Sequence, residues 1–289
     1  MKDKKMRFPG IQKSPEQKMH KSSIRKRLFL FGFFAGLLIL CSVFSGWLCP
    51  YDPYEQNLEQ ALAAPSVHHI LGTDRYGRDM LSRVIIGSRT SILGTLFLVA
   101  VITVFGTFVG MICGFYGKWI DGLLMRISDI FLAFPGLVFA LAVAGVLGGG
   151  LQNAIIALVA ISWPKYARIS RSQTLAQKEM TYMKAVKLSG SSTWKMLFRH
   201  ILPNILGPVL VTSMLDIGTM MMELAGLSFL GLGAKPPMAE WGSMMSDSRS
   251  LLQTVPWVVF APGFAIFLSV MIFNLLGDAV RDYLDPKMR

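Results

Sequence analysis

Between Leu28 and Val280 the chain carries a series of apolar runs, several as long as a bilayer is thick, and no other feature narrows its fold so much. In hydrocarbon a backbone has no water to bond to, so each such run must be a helix that satisfies its own N–H and C=O groups. Six spans are predicted, at about 28–49, 89–117, 123–147, 151–167, 205–233 and 256–280. The expected fold class is an all-α polytopic membrane protein with six transmembrane helices. Composition agrees: 53% of the 289 residues are hydrophobic and 16% charged.

The run at 28–49 follows a basic segment, as a signal peptide would. It is too long for a signal h-region, and Gly46-Trp47-Leu48 is a poor cleavage site, so it is expected to remain a span. Leu40 before Cys41 speaks against a lipoprotein signal. Cys41, Cys49 and Cys113 form no CxxC pair and read as small hydrophobes in helices.

A net charge of +12 invites a nucleic-acid partner, but the placement of the cations gives a better account. With six spans both termini share one side, and that side holds 23 of the 29 Lys and Arg residues against 6 on the other. The positive-inside rule then puts the termini and the 165–203 loop in the cytoplasm and leaves no role for nucleic acid. The expected organisation is a basic tail at 1–27, a first helix at 28–49, an extracytoplasmic segment at 50–88, and a core of five helices at 89–289.

Several local features are legible. Asp74 is the expected N-cap of a helix whose Met80, Leu81, Val84 and Ile85 share a face, with Asp79 and Arg83 paired at i,i+4 on its other side. His68-His69 lacks the companions of a metal site, since neighbouring residues point apart and no cysteine lies near; no metal ligand is predicted. Pro135 should kink the third span, Gly148-Gly149-Gly150 make a minimal turn, and Trp163-Pro164 end the fourth span. Pro236-Pro237 and Trp241 suit an interfacial segment between the last two spans.

The stretch Lys165–Asn204 is the longest polar interval after the first quarter of the chain. Leu175, Tyr182, Met183 and Val186 recur at helical spacing, Gly190 breaks the run, and Ser191, Ser192 or Thr193 can cap a second short helix reaching Leu202. Such a helical pair could be gripped by a partner's groove, or could rest on anionic lipid. Composition alone leaves both open.

The spacing Ala185-x4-Gly190-x11-Leu202-Pro203, with Tyr182 before it and Arg199-His200 inside it, resembles the coupling loop of ABC-importer permeases of the dipeptide/oligopeptide/nickel branch. Lys184 and Val186 stand where that loop more often has Glu and Ala. The resemblance extends through Leu71-Gly72-Thr73-Asp74, Gly77-Arg78-Asp79, Ala133-Phe134-Pro135, Ser228-Phe229-Leu230-Gly231-Leu232-Gly233, Glu240-Trp241-Gly242 and Asn274-Leu275-Leu276-Gly277-Asp278, covering roughly residues 50–287.

The resemblance implies a type I ABC importer permease fold with a coupling helix in a cytoplasmic loop at about 168–203. It also implies a heterodimer with a homologous second permease, two ABC ATPase subunits and an extracytoplasmic substrate-binding protein. Tyr182, Ala185, Gly190, His200, Leu202 and Pro203 would serve ATPase coupling. No cofactor is expected on this chain: ATP and Mg would sit on the partners, and no GxxxxGK[ST] motif is present. No catalytic residue and no enzymatic activity are expected.

Three acids fall in or near spans, where a lone charge is costly. Arg126 and Asp129 are expected to form a structural ion pair. Asp216 and Glu223, two turns apart on one face, are candidates for the translocation path, or else hydrogen-bond between helices. For cargo, Asp216-Ile217-Gly218-x-Met220-Met221 and Ala239-Glu240-Trp241-Gly242 resemble nickel and metal–opine-metallophore permeases, with di- or oligopeptide import as the alternative. A stand-alone secondary transporter is the remote reading, since no internal repeat is visible.

Overall fold

The computed structural model describes residues 15–284. The first fourteen residues of the expected tail, and residues 285–289, lie outside them.

Twelve α-helices follow in order: α1 Pro15–Val43, α2 Ser45–Leu48, α3 Met80–Ser88, α4 Gly94–Tyr116, α5 Lys118–Leu132, α6 Gly136–Val146, α7 Leu151–Lys178, α8 Thr181–Leu188, α9 Thr193–Lys195, α10 Leu202–Phe229, α11 Trp241–Ser248 and α12 Trp257–Leu284. Four of the resulting rods are long and apolar enough to cross a membrane: Ser23–Val43, Met80–Tyr116, Thr193–Phe229 and Trp257–Leu284. The pair α5–α6 makes a fifth if it is taken as one bent span. The fourth expected span, α7, is long enough, but its apolar part ends at Pro164 and a polar half follows.

Two of the rods are longer than their apolar runs suggest. Short π-helical segments, Arg89–Leu93 and Met196–Ile201, weld α3 to α4 and α9 to α10. The second replaces the expected separate short helix, and Pro203 lies inside the resulting rod. A π segment just before it lets the rod absorb the proline without a break. Pro164 likewise does not end α7. It is buried, and losing one ladder bond is tolerated where neighbouring helices hold the rod.

Pro135 has the opposite effect. The expected kinked span is instead broken, with Ala133, Phe134 and Pro135 lying outside both helices and a bend of 92° between α5 and α6. Proline pushes the preceding residue out of helical geometry and removes a donor. No neighbouring element carries the chain across the gap.

The bundle is organised on α4, α7, α10 and α12, with α1 against α12 and α6 against α7. Its closest seam joins α4 to α7. Gly106, Gly110 and Gly114 sit one turn apart on α4, and the backbone of α7 runs against all three. A Cβ on Gly106 would stand 2.6 Å from the Tyr166 Cβ, and one on Gly114 would stand 2.7 Å from the Thr174 Cβ. Small residues permit this approach, which lets dispersion do the work that water exclusion cannot do in lipid.

The segment at 50–88 corrects two expectations. The N-cap of α3 is Asp79, whose Oδ2 accepts from the Ser82 N–H at 2.8 Å and the Ser82 hydroxyl at 2.7 Å. A capping carboxylate turns back onto the helix end, so Asp79 does not reach Arg83. That guanidinium donates to the Pro53 carbonyl at 3.1 Å and lies 3.5 Å from Asp74. Asp74 holds its own turn together, accepting from the Tyr76 and Arg78 N–H groups and from Arg78 Nε at 2.6 Å. His69 lies 3.0 Å from both Asp79 Oδ1 and Gln60 Oε1.

Trp241 is buried rather than interfacial. Glu240 caps α11 through the Gly242 and Ser243 N–H groups, at 3.0 and 2.8 Å, and accepts from Ser91 Oγ at 3.2 Å. Burial pushes its carboxyl above the usual carboxylate range, while those N–H donors pull the other way. Trp241 Nε1 donates to the Val84 carbonyl at 2.9 Å. Together these bonds bolt α11 to the start of the second rod.

Candidate functional site

At the end of α7 the chain turns at Glu179 and Met180 into α8, turns again at Gly190, and enters the α9–α10 rod. Gly190 has φ +76°, a conformation that a side chain would strain, and open space surrounds it. Ser192 caps the returning helix by accepting from the Lys195 N–H. The hydroxyl serves here because an N-terminal turn leaves donors free.

What holds α8 in place is a small core of its own. Met183 is buried with Met111, Met196, Leu197, Ile201 and Ile205, while Phe115, Val186 and Leu202 cover the edge. Polar ties complete the joint. Tyr182 Oη donates to Gln177 Oε1 at 2.7 Å, Asn204 Nδ2 donates to Tyr182 Oη at 3.3 Å, and the same amide donates to the His200 carbonyl at 2.6 Å. Lys178 Nζ donates to the Phe115 carbonyl, joining the ends of α4 and α7. Tyr182 thus links the end of α7, α8 and the start of α10.

Of the six residues singled out from sequence, Tyr182 and Leu202 build this joint and Gly190 makes its turn. His200 contributes its carbonyl. Ala185 and Pro203 are exposed. Sequence reading missed the apolar surface beside them: Leu188 is 89% exposed, Trp194 is 60% exposed, and Trp194 stacks on exposed Phe198 with ring centroids 5.6 Å apart. The signal was available, since large apolar residues just past the buried face of a polar loop need a partner.

The membrane-embedded acids meet a row of cations on α7. Lys165 Nζ donates to Asp216 Oδ1 of α10 at 2.6 Å, and Tyr166 Oη donates to Asp216 Oδ2 at 3.0 Å. Arg168 Nη2 donates to Asp129 Oδ1 of α5 at 2.5 Å. Arg171 forks onto Asp121 of α5 through Nε and Nη2. The expected pair Arg126–Asp129 is therefore corrected: Asp129 takes Arg168 from another helix, because α7 lies within reach. Glu223 differs from the other acids. Its Oε2 is buried with no hydrogen-bond partner among the described residues. Lys165, Arg168 and Arg171 stand on α7, three residues apart.

A bundle of long apolar rods, one broken span and a compact two-helix projection define an ABC importer permease fold. The chain belongs to the family of inner membrane components of binding-protein-dependent transport systems, whose model matches residues 106–289. A second model, the N-terminal TM domain of oligopeptide transport permease C, matches residues 17–65. Among its relatives, a dipeptide transport system permease protein of Alkalihalophilus pseudofirmus is 45% identical over 251 residues, covering 87% of this chain and 83% of that protein. A glutathione transport system permease protein of Pectobacterium atrosepticum is 42% identical, covering 89% and 86%. A probable D,D-dipeptide transport system permease protein of Escherichia coli is 43% identical, covering 87% and 84%. The fold is shared with the methionine ABC transporter MetNI in an inward-facing conformation, with a TM-score of 0.53 at 18% identity, covering 71% of this chain and 98% of that one.

Proposed function

We propose that this chain forms half of the translocation path of an ATP-driven importer of short peptides. Its α8 segment is the part that a cytoplasmic ATPase would grip. The observation that carries the coupling role is the exposed apolar surface of Leu188, Trp194 and Phe198, mounted on a core that ties α8 to α4 and α10, with Tyr182 bonded to Gln177 of α7. A push on such a surface reaches three rods at once. The asymmetry of the basic residues supports a cytoplasmic position for α8 and both termini.

The cargo reading turns from nickel or a metal chelate to peptides. The relatives above are named for dipeptides, D,D-dipeptides and glutathione, at 42–45% identity over most of their length. The motif comparison that favoured metals rested on a few residues around Asp216 and Glu240, and these make bonds internal to the bundle. The partners in this reading are a homologous second permease, two ATPases, and an extracytoplasmic binding protein that does most of the selecting.

Cells lacking this chain should lose uptake of a labelled dipeptide while retaining uptake of a labelled nickel chelate. The reverse pattern would restore the metal reading. Purification of the tagged chain should bring an ATPase with it, and Leu188→Asp should weaken that association.

A further inference from the structure

At the break at Pro135 the cover of α7 passes from α6 to α5, whose Asp129 and Asp121 meet Arg168 and Arg171. The first residue of α6, Gly136, stands level with the Ile161 side chain, so α7 beyond Ile161 has lost its α6 cover. Lys165, Arg168 and Ser172 lie there at i, i+3 and i+7, on one face, and all are exposed. Lys165 is the first charged residue past the apolar part of α7, and a half-exposed ammonium there costs least where water reaches it.

The chemistry left open on this stripe is specific. Both oxygens of Asp216 are taken, one by Lys165 and one by Tyr166. Asp216 itself is only 8% exposed, whereas the Lys165 side chain is 52% exposed and has spent one of its three N–H donors on that acid. An incoming solute therefore meets a pinned ammonium with free donors, which suits a carboxylate. Glu223 stands seven residues further along α10, about 10.5 Å by helical rise, with an oxygen that nothing described bonds. An extended dipeptide spans about 7 Å and a tripeptide about 10 Å.

We propose that Lys165 and Glu223 are the two poles of a subsite within the bundle for a short zwitterionic peptide, Lys165 taking the carboxylate and Glu223 the ammonium end. This rests on the peptide-import reading and adds that the permease itself senses both termini. Asp216 and Tyr166 are positioning residues that hold Lys165 in place.

The test uses the complete importer with labelled dialanine and trialanine, and compares Lys165→Gln, Glu223→Gln and the double variant Lys165→Gln/Asp216→Asn. Each single variant should lower uptake about tenfold or more, the scale of losing one charge-assisted bond. The amount of assembled complex should stay unchanged. The double variant should remain as low as Lys165→Gln, because the cargo's partner is still missing. If Lys165 only balances Asp216, the double variant will recover uptake, and that recovery overturns the subsite. Undiminished uptake in both single variants overturns it as well, while leaving peptide import standing. Failure of the unaltered importer to take up either peptide would remove both readings together.

Discussion

The α4–α7 seam and the α8 projection sit at opposite extremes of packing in one molecule. Along the seam, three glycines bring two backbones together until no Cβ fits between them. At the projection, a few methionines hold one face of an eight-residue helix and the rest is open. Interlocked backbones have one arrangement and resist displacement. A helix hung on flexible methionine side chains can be seated by a partner and still transmit force to the rods behind it. Fixed frame and movable handle are thus separated by packing density, although they meet at Met111 and Phe115 near the end of α4.

The largest effect should come from breaking the frame. Gly110→Leu forces the α4 and α7 backbones apart and should leave little folded protein in the membrane, measured by tagged-chain abundance; the overpacking alone is on the order of 1–3 kcal/mol. Leu188→Asp should leave abundance intact while strongly reducing ATPase co-purification and peptide uptake. Equal loss of abundance in both variants would erase the distinction between frame and handle. Gly190→Val strains a positive-φ turn by roughly 1–2 kcal/mol, and should uncouple ATP hydrolysis from uptake while the complex still assembles. Ser192→Ala removes a helix cap worth about 1 kcal/mol and should shift the thermal midpoint only slightly. The smallest effect separates two arginines. Arg168→Ala should lower stability measurably, because it strips Asp129 of its partner, whereas Arg126→Ala should change nothing detectable.

The rods were legible because lipid imposes a length and an apolarity that any single helix must meet by itself. The turn at Gly190 and the cap at Ser192 were legible for the same reason, since a φ preference and a hydroxyl act within a few residues. Capping failed once. Asp74 and Asp79 are both plausible caps by type, and only the folded segment, with Tyr76, Arg78 and Ser82 as competing donors, assigns Asp79 to the helix. The Gly106-x3-Gly110-x3-Gly114 spacing was not singled out from the sequence, and its partner helix is set only by the fold. The prolines were the least legible. Pro164 sits within a continuous helix, Pro203 inside a continuous rod, and Pro135 breaks one; a residue that lacks a donor has an outcome set by what packs around the gap.

By itself, then, the sequence determined an all-helical membrane protein, the place of its polar projection, and the glycine on which that projection turns. Each follows from short-range chemistry or from the demand of the bilayer. Tertiary structure alone decided which cation meets which acid. Asp129 passes over Arg126 for Arg168, Asp216 takes Lys165 and Tyr166, and Glu223 Oε2 has no partner among the described residues, because charges pair by distance across helices and not by spacing along one. The same structure showed that the polar half of α7 takes α5 as its neighbour, through Arg168–Asp129 and Arg171–Asp121.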